Sequence, residues 1–184
     1  YQVINNTWDE APNQAFKKIP YFPDVCLNGH FQCYGYFQDF LLEIWKALGF
    51  KFTAETGFVA IHVRRGDYLD YPLKHPVVTP GYISRAISHF EKLGENRFAV
   101  FSDDMAWCQS NINTAIFRGC TFDYIPEGRS AREDFQLMAN CHHQIISNSS
   151  YSLMAAHFNL HRDKIVVAPS VWTPRLVTPG LASL

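Results

Sequence analysis

A chain of 184 residues, 47% hydrophobic and 18% charged with a formal net charge of −1, has the makeup of one sizeable globular domain with room for part of a second. The near-zero charge excludes the basic excess of a nucleic-acid binder, and no apolar run approaches membrane-spanning length. No charged-then-apolar signal segment opens the chain, and Tyr1 is not an ordinary native start, so the chain is expected to be a fragment.

From Tyr1 to about Asp24 the chain is polar, broken by prolines and without clear period. Leu27 to Gly49 is aromatic-rich, and Phe31, Tyr34, Tyr36, Phe37, Phe40, Leu41 and Trp45 predict a strand running into a helix. Glu55-Thr56-Gly57 reads as a linker, dividing the chain into residues 1–56 and a domain over 57–184. Beyond it, strands and helices alternate. Phe58 to Val63 is an apolar run of strand length, and Thr79-Pro80 caps and starts a helix with Ile83, Ile87 and Phe90 on one face. Arg97 to Phe101 is a second strand, followed by a short helix around Met105 to Cys108; Thr121 to Ile125 is a third. Ser130-Ala131-Arg132-Glu133 is a capping box that opens a helix through Leu137, Met138 and Cys141. His143 to Ser147, a helix over Tyr151 to Phe158, and Lys164 to Ala168 complete the series, with Pro169 as its stop. This alternation predicts right-handed crossovers and an α/β fold with a doubly wound, mostly parallel, Rossmann-like sheet.

In such a sheet, ligands bind outside the carboxyl ends of the strands. The first strand ends in Arg64-Arg65-Gly66-Asp67, the second in Ser102-Asp103-Asp104, and the fourth in Asn148-Ser149-Ser150 at a helix start. Arginine is a planar, permanently charged fork that matches phosphate oxygens, and Ser149 and Ser150 add donors where the helix dipole favours an anion. Asp103, Asp104 or Asp134 can accept from ribose hydroxyls or from the N–H edge of a base. Neither G-x-G-x-x-G nor G-x-x-x-x-G-K-[ST] occurs, which excludes the usual dinucleotide and P-loop readings. The spacing alone therefore points to an anion-binding α/β enzyme, with the sugar unspecified. The five cysteines form no C-x-x-C pair, and Cys108 and Cys141 read as buried hydrophobes rather than nucleophiles. His142-His143 reads as core packing plus a surface imidazole rather than a metal pair. Trp107 and Phe135 read as core, while Tyr151 is equally suited to core packing and to stacking on a ligand.

These residues also carry a resemblance. His62-Val63-Arg64-Arg65-Gly66-Asp67-Tyr68 matches the H-x-R-R-G-D-Y signature of α-1,2-fucosyltransferases. Phe101-Ser102-Asp103-Asp104 with Trp107-Cys108 resembles that family's second motif, and the stretch from Asp134 through Ile145 to Ser152 its third. Gly35-Tyr36-Phe37-Gln38 is similar to the G-Y-F-Q segment preceding the donor domain, and the wording Asn148-Ser149-Ser150-Tyr151-Ser152 is closest to the bacterial and viral branch. The family's glycine-rich opening segment and N-terminal half are absent, and Ser152-Leu153-Met154 stands where Ser-Trp-Trp is common.

The resemblance implies the donor-binding half of a GT-B-type enzyme, with residues 1–56 a remnant of the acceptor side. It implies inverting, metal-independent transfer of L-fucose from GDP-β-L-fucose to a galactose 2-hydroxyl of a glycan, with no cofactor. Under it, Arg64 stabilises the departing diphosphate, Arg65 supports it by pairing within the domain with Asp67 as partner, and His62 holds Arg64 or touches the nucleotide. Asp134 reads the guanine, Ser150 donates to the β-phosphate, and Asp67 or Asp70 is the candidate base. His62, Arg64, Arg65, Ser102, Asp103, Asp134, Ser149, Ser150 and Tyr151 form the expected donor site. The location is cytoplasmic for a bacterial or viral member and the Golgi lumen for a eukaryotic one, with any peripheral membrane association made through regions outside this chain. Two rivals stand beside it: a non-catalytic GDP-sugar- or glycan-binding protein that keeps the donor fold, and another phosphate-ligand enzyme on the same kind of sheet.

Overall fold

The computed structural model of the protein describes residues 6–11, 15–53, 57–112, 114–173 and 176–177. Two short strands, Thr7–Asp9 (β1) and Cys26–Asn28 (β2), pair in parallel. They hold Trp8 against Phe31 and Tyr36, with ring centroids 5.9 and 6.3 Å apart. The aromatic stretch that follows departs from the strand expected of it. Tyr34–Tyr36 and Gln38–Phe40 are 3-10 turns leading into the helix Leu41–Ala47 (α1). The rings explain this: Tyr34 and Phe37 both pack on His157, and a pleated strand would send neighbouring side chains to opposite faces.

The alternating part forms Val59–Val63 (β3), Pro80–Lys92 (α2), Arg97–Ser102 (β4), Met105–Asn111 (α3) and Thr121–Tyr124 (β5). Ala131–Asn140 (α4), His143–Ile145 (β6), Ser150–Phe158 (α5) and Val166–Val167 (β7) follow. The two predicted caps are in place. Thr79 accepts from the Tyr82 amide at 3.2 Å ahead of Pro80, and Ser130 and Glu133 close a reciprocal capping box. The fifth strand is shorter than predicted because its neighbours spend their polar groups elsewhere. The Ile165 amide donates to His143 Nδ1 at 3.0 Å, and Lys164 Nζ donates to the carbonyls of Ala156 and Asn159. A final antiparallel pair, Val171–Thr173 (β8) with Leu176–Val177 (β9), has no counterpart in the sequence reading. Residues 54–56 of the expected linker lie outside the described residues.

Strands β5-β4-β3-β6-β7 lie side by side in that order, all parallel. The chain runs outward from β3 in one direction and returns on its other side through β6, which makes the edge above β3 and β6 the topological switch point. Strand parity separates two cores. Val59, Ile61 and Val63 face Ile83, Ile87 and Phe90 of α2 and Met105 and Cys108 of α3. Ala60 and Ala99 face Met138 of α4, Ala155 and Phe158 of α5, and Trp45 of α1. Small residues on that face let the helices approach closely. Phe90 and Ile87 are wholly buried, and each such side chain contributes about 1.5–3 kcal/mol. Trp45 Nε1 donates to the Phe158 carbonyl at 2.9 Å, tying α1 to the end of α5. No described helix is long and apolar enough to cross a membrane.

Candidate donor-binding site

A cleft of about 560 Å³ opens at the switch point, above the carboxyl ends of β3 and β4 and against the N-termini of α4 and α5. His62, Arg64, Asp67, Ser102, Asp103, Asp134, Ser149, Ser150 and Tyr151 all line it. Arg65 does not, and its expected place in the site is corrected. Its guanidinium stacks on Trp107 at 4.0 Å, and its Nε donates to Asp104 Oδ2 at 3.0 Å. Strand parity is the reason: His62 and Arg64 leave β3 on the face of α4 and α5, whereas Val63 and Arg65 leave on the face of α3. The expected Arg65–Asp67 pair is likewise replaced, since Asp67 pairs with Arg64.

Arg64 lies between two carboxylates, with Nη2 2.7 Å from Asp67 Oδ1 and Nη1 2.8 Å from Asp103 Oδ2. The Tyr68 ring lies 5.7 Å from its guanidinium carbon. Asp103 also accepts from the Arg65 amide at 2.8 Å, so one carboxylate ties the end of β3 to the end of β4. Gly66 allows this approach: a Cβ there would lie 2.6 Å from Asp103 Oδ2. Asp104 is not among the residues that line the cleft: it caps α3 through the Trp107 amide with one oxygen and holds Arg65 with the other. Asp134, in the first turn of α4, gives Oδ1 to Arg129 Nε at 2.9 Å and has its other oxygen free for a ligand among the described residues. Asp70 is not among the residues that line the cleft.

His62 and Ser147 share a 2.7 Å hydrogen bond between Nδ1 and Oγ. Burial, reinforced by the charge of Arg64, lowers the His62 pKa to about 3, so the ring is neutral at physiological pH. Tyr151 donates to the Ala131 carbonyl and packs its ring 5.6 Å from His62. Burial and then Asp134 raise its pKa to about 12. Ser149 precedes α5 without capping it through its side chain, and the first-turn amides, which have no intrahelical acceptor at any helix start, get none from it. Arg129 and Tyr68 are cleft residues that the sequence reading did not assign. Tyr68 closes the signature motif and donates to the Asn148 carbonyl at 3.2 Å; Arg129 carries no signal beyond its place before the Ser130 cap.

The buried histidines set an acid limit on stability. His157, wholly buried against Tyr34 and Phe37, has its pKa lowered to about 4 by burial and by the charge of Lys164. In the unfolded chain both His62 and His157 take up a proton near pH 6.5, whereas the folded chain holds them neutral until about pH 3 and 4. The unfolded state thus binds more protons below pH 6.5, and stability falls with pH at about 1.4 kcal/mol per unit for each ring. Urea unfolding at pH 5.5 should show a loss of roughly 2–3 kcal/mol relative to pH 7.5. Equal stability at the two values would contradict the assignment of both rings as buried and neutral.

Residues 11–175 match the profile of Glycosyl transferase family 11. The chain is 35% identical to the O-antigen biosynthesis glycosyltransferase WbnK of Escherichia coli, over 94% of this chain and 60% of that protein. It is 36% identical to an Escherichia coli alpha-1,2-colitosyltransferase over 65% of this chain and 42% of the relative. It is 34% identical to the galactoside 2-alpha-L-fucosyltransferase SEC1 of Bos taurus, over 65% and 32%. Among solved structures, POFUT1 in complex with GDP-fucose is similar with a TM-score of 0.47 and 12% identity, over 72% of this chain and 46% of that one. The chain thus spans at most 60% of the length of these three sequence relatives. It belongs to Glycosyl transferase family 11.

Proposed function

We propose that this chain binds GDP-β-L-fucose in the switch-point cleft and serves an inverting transfer of L-fucose to the 2-hydroxyl of a terminal galactose. The observation that carries this reading is the pairing of the Arg64 fork with the N-terminus of α5 across one cleft. Breaking the glycosidic bond leaves charge on the departing diphosphate, and positive groups already in place stabilise it without reorganisation. In this reading the diphosphate displaces Asp67 from Arg64, while Asp103 keeps the guanidinium aimed. Ser150 and the first-turn amides of α5 donate to the β-phosphate. Asp134 offers its free oxygen to the N–H edge of guanine, and neutral His62 supplies a hydrogen bond beside it. The freed Asp67 carboxylate, exposed at the cleft mouth, is then placed to take the acceptor proton. Arg64 and the α5 amides supply the positive charge, so the reading requires neither metal nor cofactor.

Calorimetry with GDP, GDP-fucose and UDP tests the nucleotide, and transfer to a galactoside tests the activity. GDP should bind at least tenfold tighter than UDP; equal binding would remove the donor assignment. The likeness to a colitosyltransferase makes a colitosyl nucleotide the competing donor in the same assay. GDP binding without transfer to any galactoside would favour a non-catalytic GDP-sugar-binding protein.

A further inference from the structure

The opposite edge of the sheet, where β6 begins, gathers a second set of chemically active side chains. The rings of His142 and His143 stack at 4.0 Å, and the His161 ring lies 5.0 Å from that of His142. Two trios there bring one ligating atom each to within 4.8 Å of one another: Glu95, His142 and His143, or His142, His161 and Asp163.

Tautomers separate them. His143 Nδ1 accepts from the Ile165 amide at 3.0 Å, so its proton sits on Nε2, which faces Glu95 Oε1 at 3.4 Å. A cation at that Nε2 would need the neutral ring to lose its remaining proton, and the buried ring is fixed by stacking on Phe90. The second trio meets no such obstacle. His161 Nε2 lies 3.2 Å from the Asn140 carbonyl oxygen, which can only accept, so the proton is on Nε2 and the lone pair on Nδ1. A carbonyl partner on one nitrogen is the usual way an imidazole is oriented to ligate through the other. The His161 amide donates to Asn159 Oδ1 at 2.8 Å, and Phe52 packs on the ring, so the residue is held in place. His142 Nε2 lies 3.0 Å from Asp163 Oδ2, a proton-bridged contact that a cation can replace.

We propose that His142, His161 and Asp163 bind one divalent zinc-class ion, with water completing the sphere, at a site separate from the donor cleft. Two neutral imidazoles and one carboxylate form a donor set suited to zinc, with ligand bonds of about 2.0–2.2 Å. The ion would join the turn before β6 to the loop between α5 and β7 and stabilise the fold there.

The test is calorimetry with zinc chloride on the full chain, stripped with EDTA and free of any histidine tag. One ion per chain should bind, and a hundredfold excess over Kd should raise Tm by roughly 5 °C or more. Asp163→Asn should weaken binding at least tenfold, and its 75% exposed side chain makes this a change the fold tolerates. Glu95→Gln should leave binding unchanged. Zinc bound equally by the parent and Asp163→Asn, or lost with Glu95→Gln alone, would overturn the site. GDP binding is the independent control and should not differ with or without zinc.

Discussion

Arg64→Lys should lower kcat for transfer roughly 10²–10³-fold, with Arg64→Ala at the larger end. Two N–H groups of the guanidinium are held by Asp67 and Asp103, and the fork keeps others for a ligand. Lysine retains the charge but not the planar geometry, so it cannot hold Asp103 and a phosphate oxygen in fixed directions at once. The loss should therefore fall mainly on kcat, while GDP affinity falls less in the lysine variant than in the alanine variant. Arg64 is partly exposed at 36%, so circular dichroism and Tm should stay close to the parent. Turnover unchanged in both variants would remove Arg64 from the mechanism.

Asp103→Asn should reduce kcat by roughly 10²-fold, the scale expected when a positioned group moves by about 1 Å. In the proposed mechanism Asp103 acts through Arg64, as a positioning residue. Asparagine keeps an acceptor for the Arg65 amide but loses the charge that fixes Nη1 of Arg64. Gly66→Ala offers an independent check, because its new Cβ would push on the same carboxylate at 2.6 Å. If both act through Arg64, the double variant Asp103→Asn with Arg64→Ala should be no slower than Arg64→Ala alone. Additive losses would show that Asp103 acts on the donor directly.

Much of this arrangement was legible in the sequence because its causes are local. Thr79-Pro80, Ser130 with Glu133, and the apolar run into Val63 each carry their own physical signal, and the strands and helices follow from them. The site was readable because three strand ends hold Arg64, Ser102-Asp103 and Ser149-Ser150, and a parallel sheet brings strand ends together. Arg65 was misplaced although its signal was present: period two sets Arg64 with His62 and Arg65 with Val63. The β1–β2 and β8–β9 pairs join segments of two or three residues, too short to show an alternation, and their pairing is decided by contacts rather than local pattern. The short β7 depends on where Lys164 and Ile165 send their polar groups, which is decided by tertiary contacts.

Among the described residues, both arginines that line the cleft already have an acidic partner: Arg64 with Asp67 and Asp103, and Arg129 with Asp134. The protein therefore carries its own counter-ions in the form of side chains. Under the proposed function, an entering diphosphate exchanges places with a tethered carboxylate instead of releasing ions into solution. Ionic strength, which weakens most encounters between exposed charges, then acts on both sides of that exchange and largely cancels. Selectivity between donors shifts to geometry, favouring the anion whose oxygens fit Arg64 better than the carboxylate they replace.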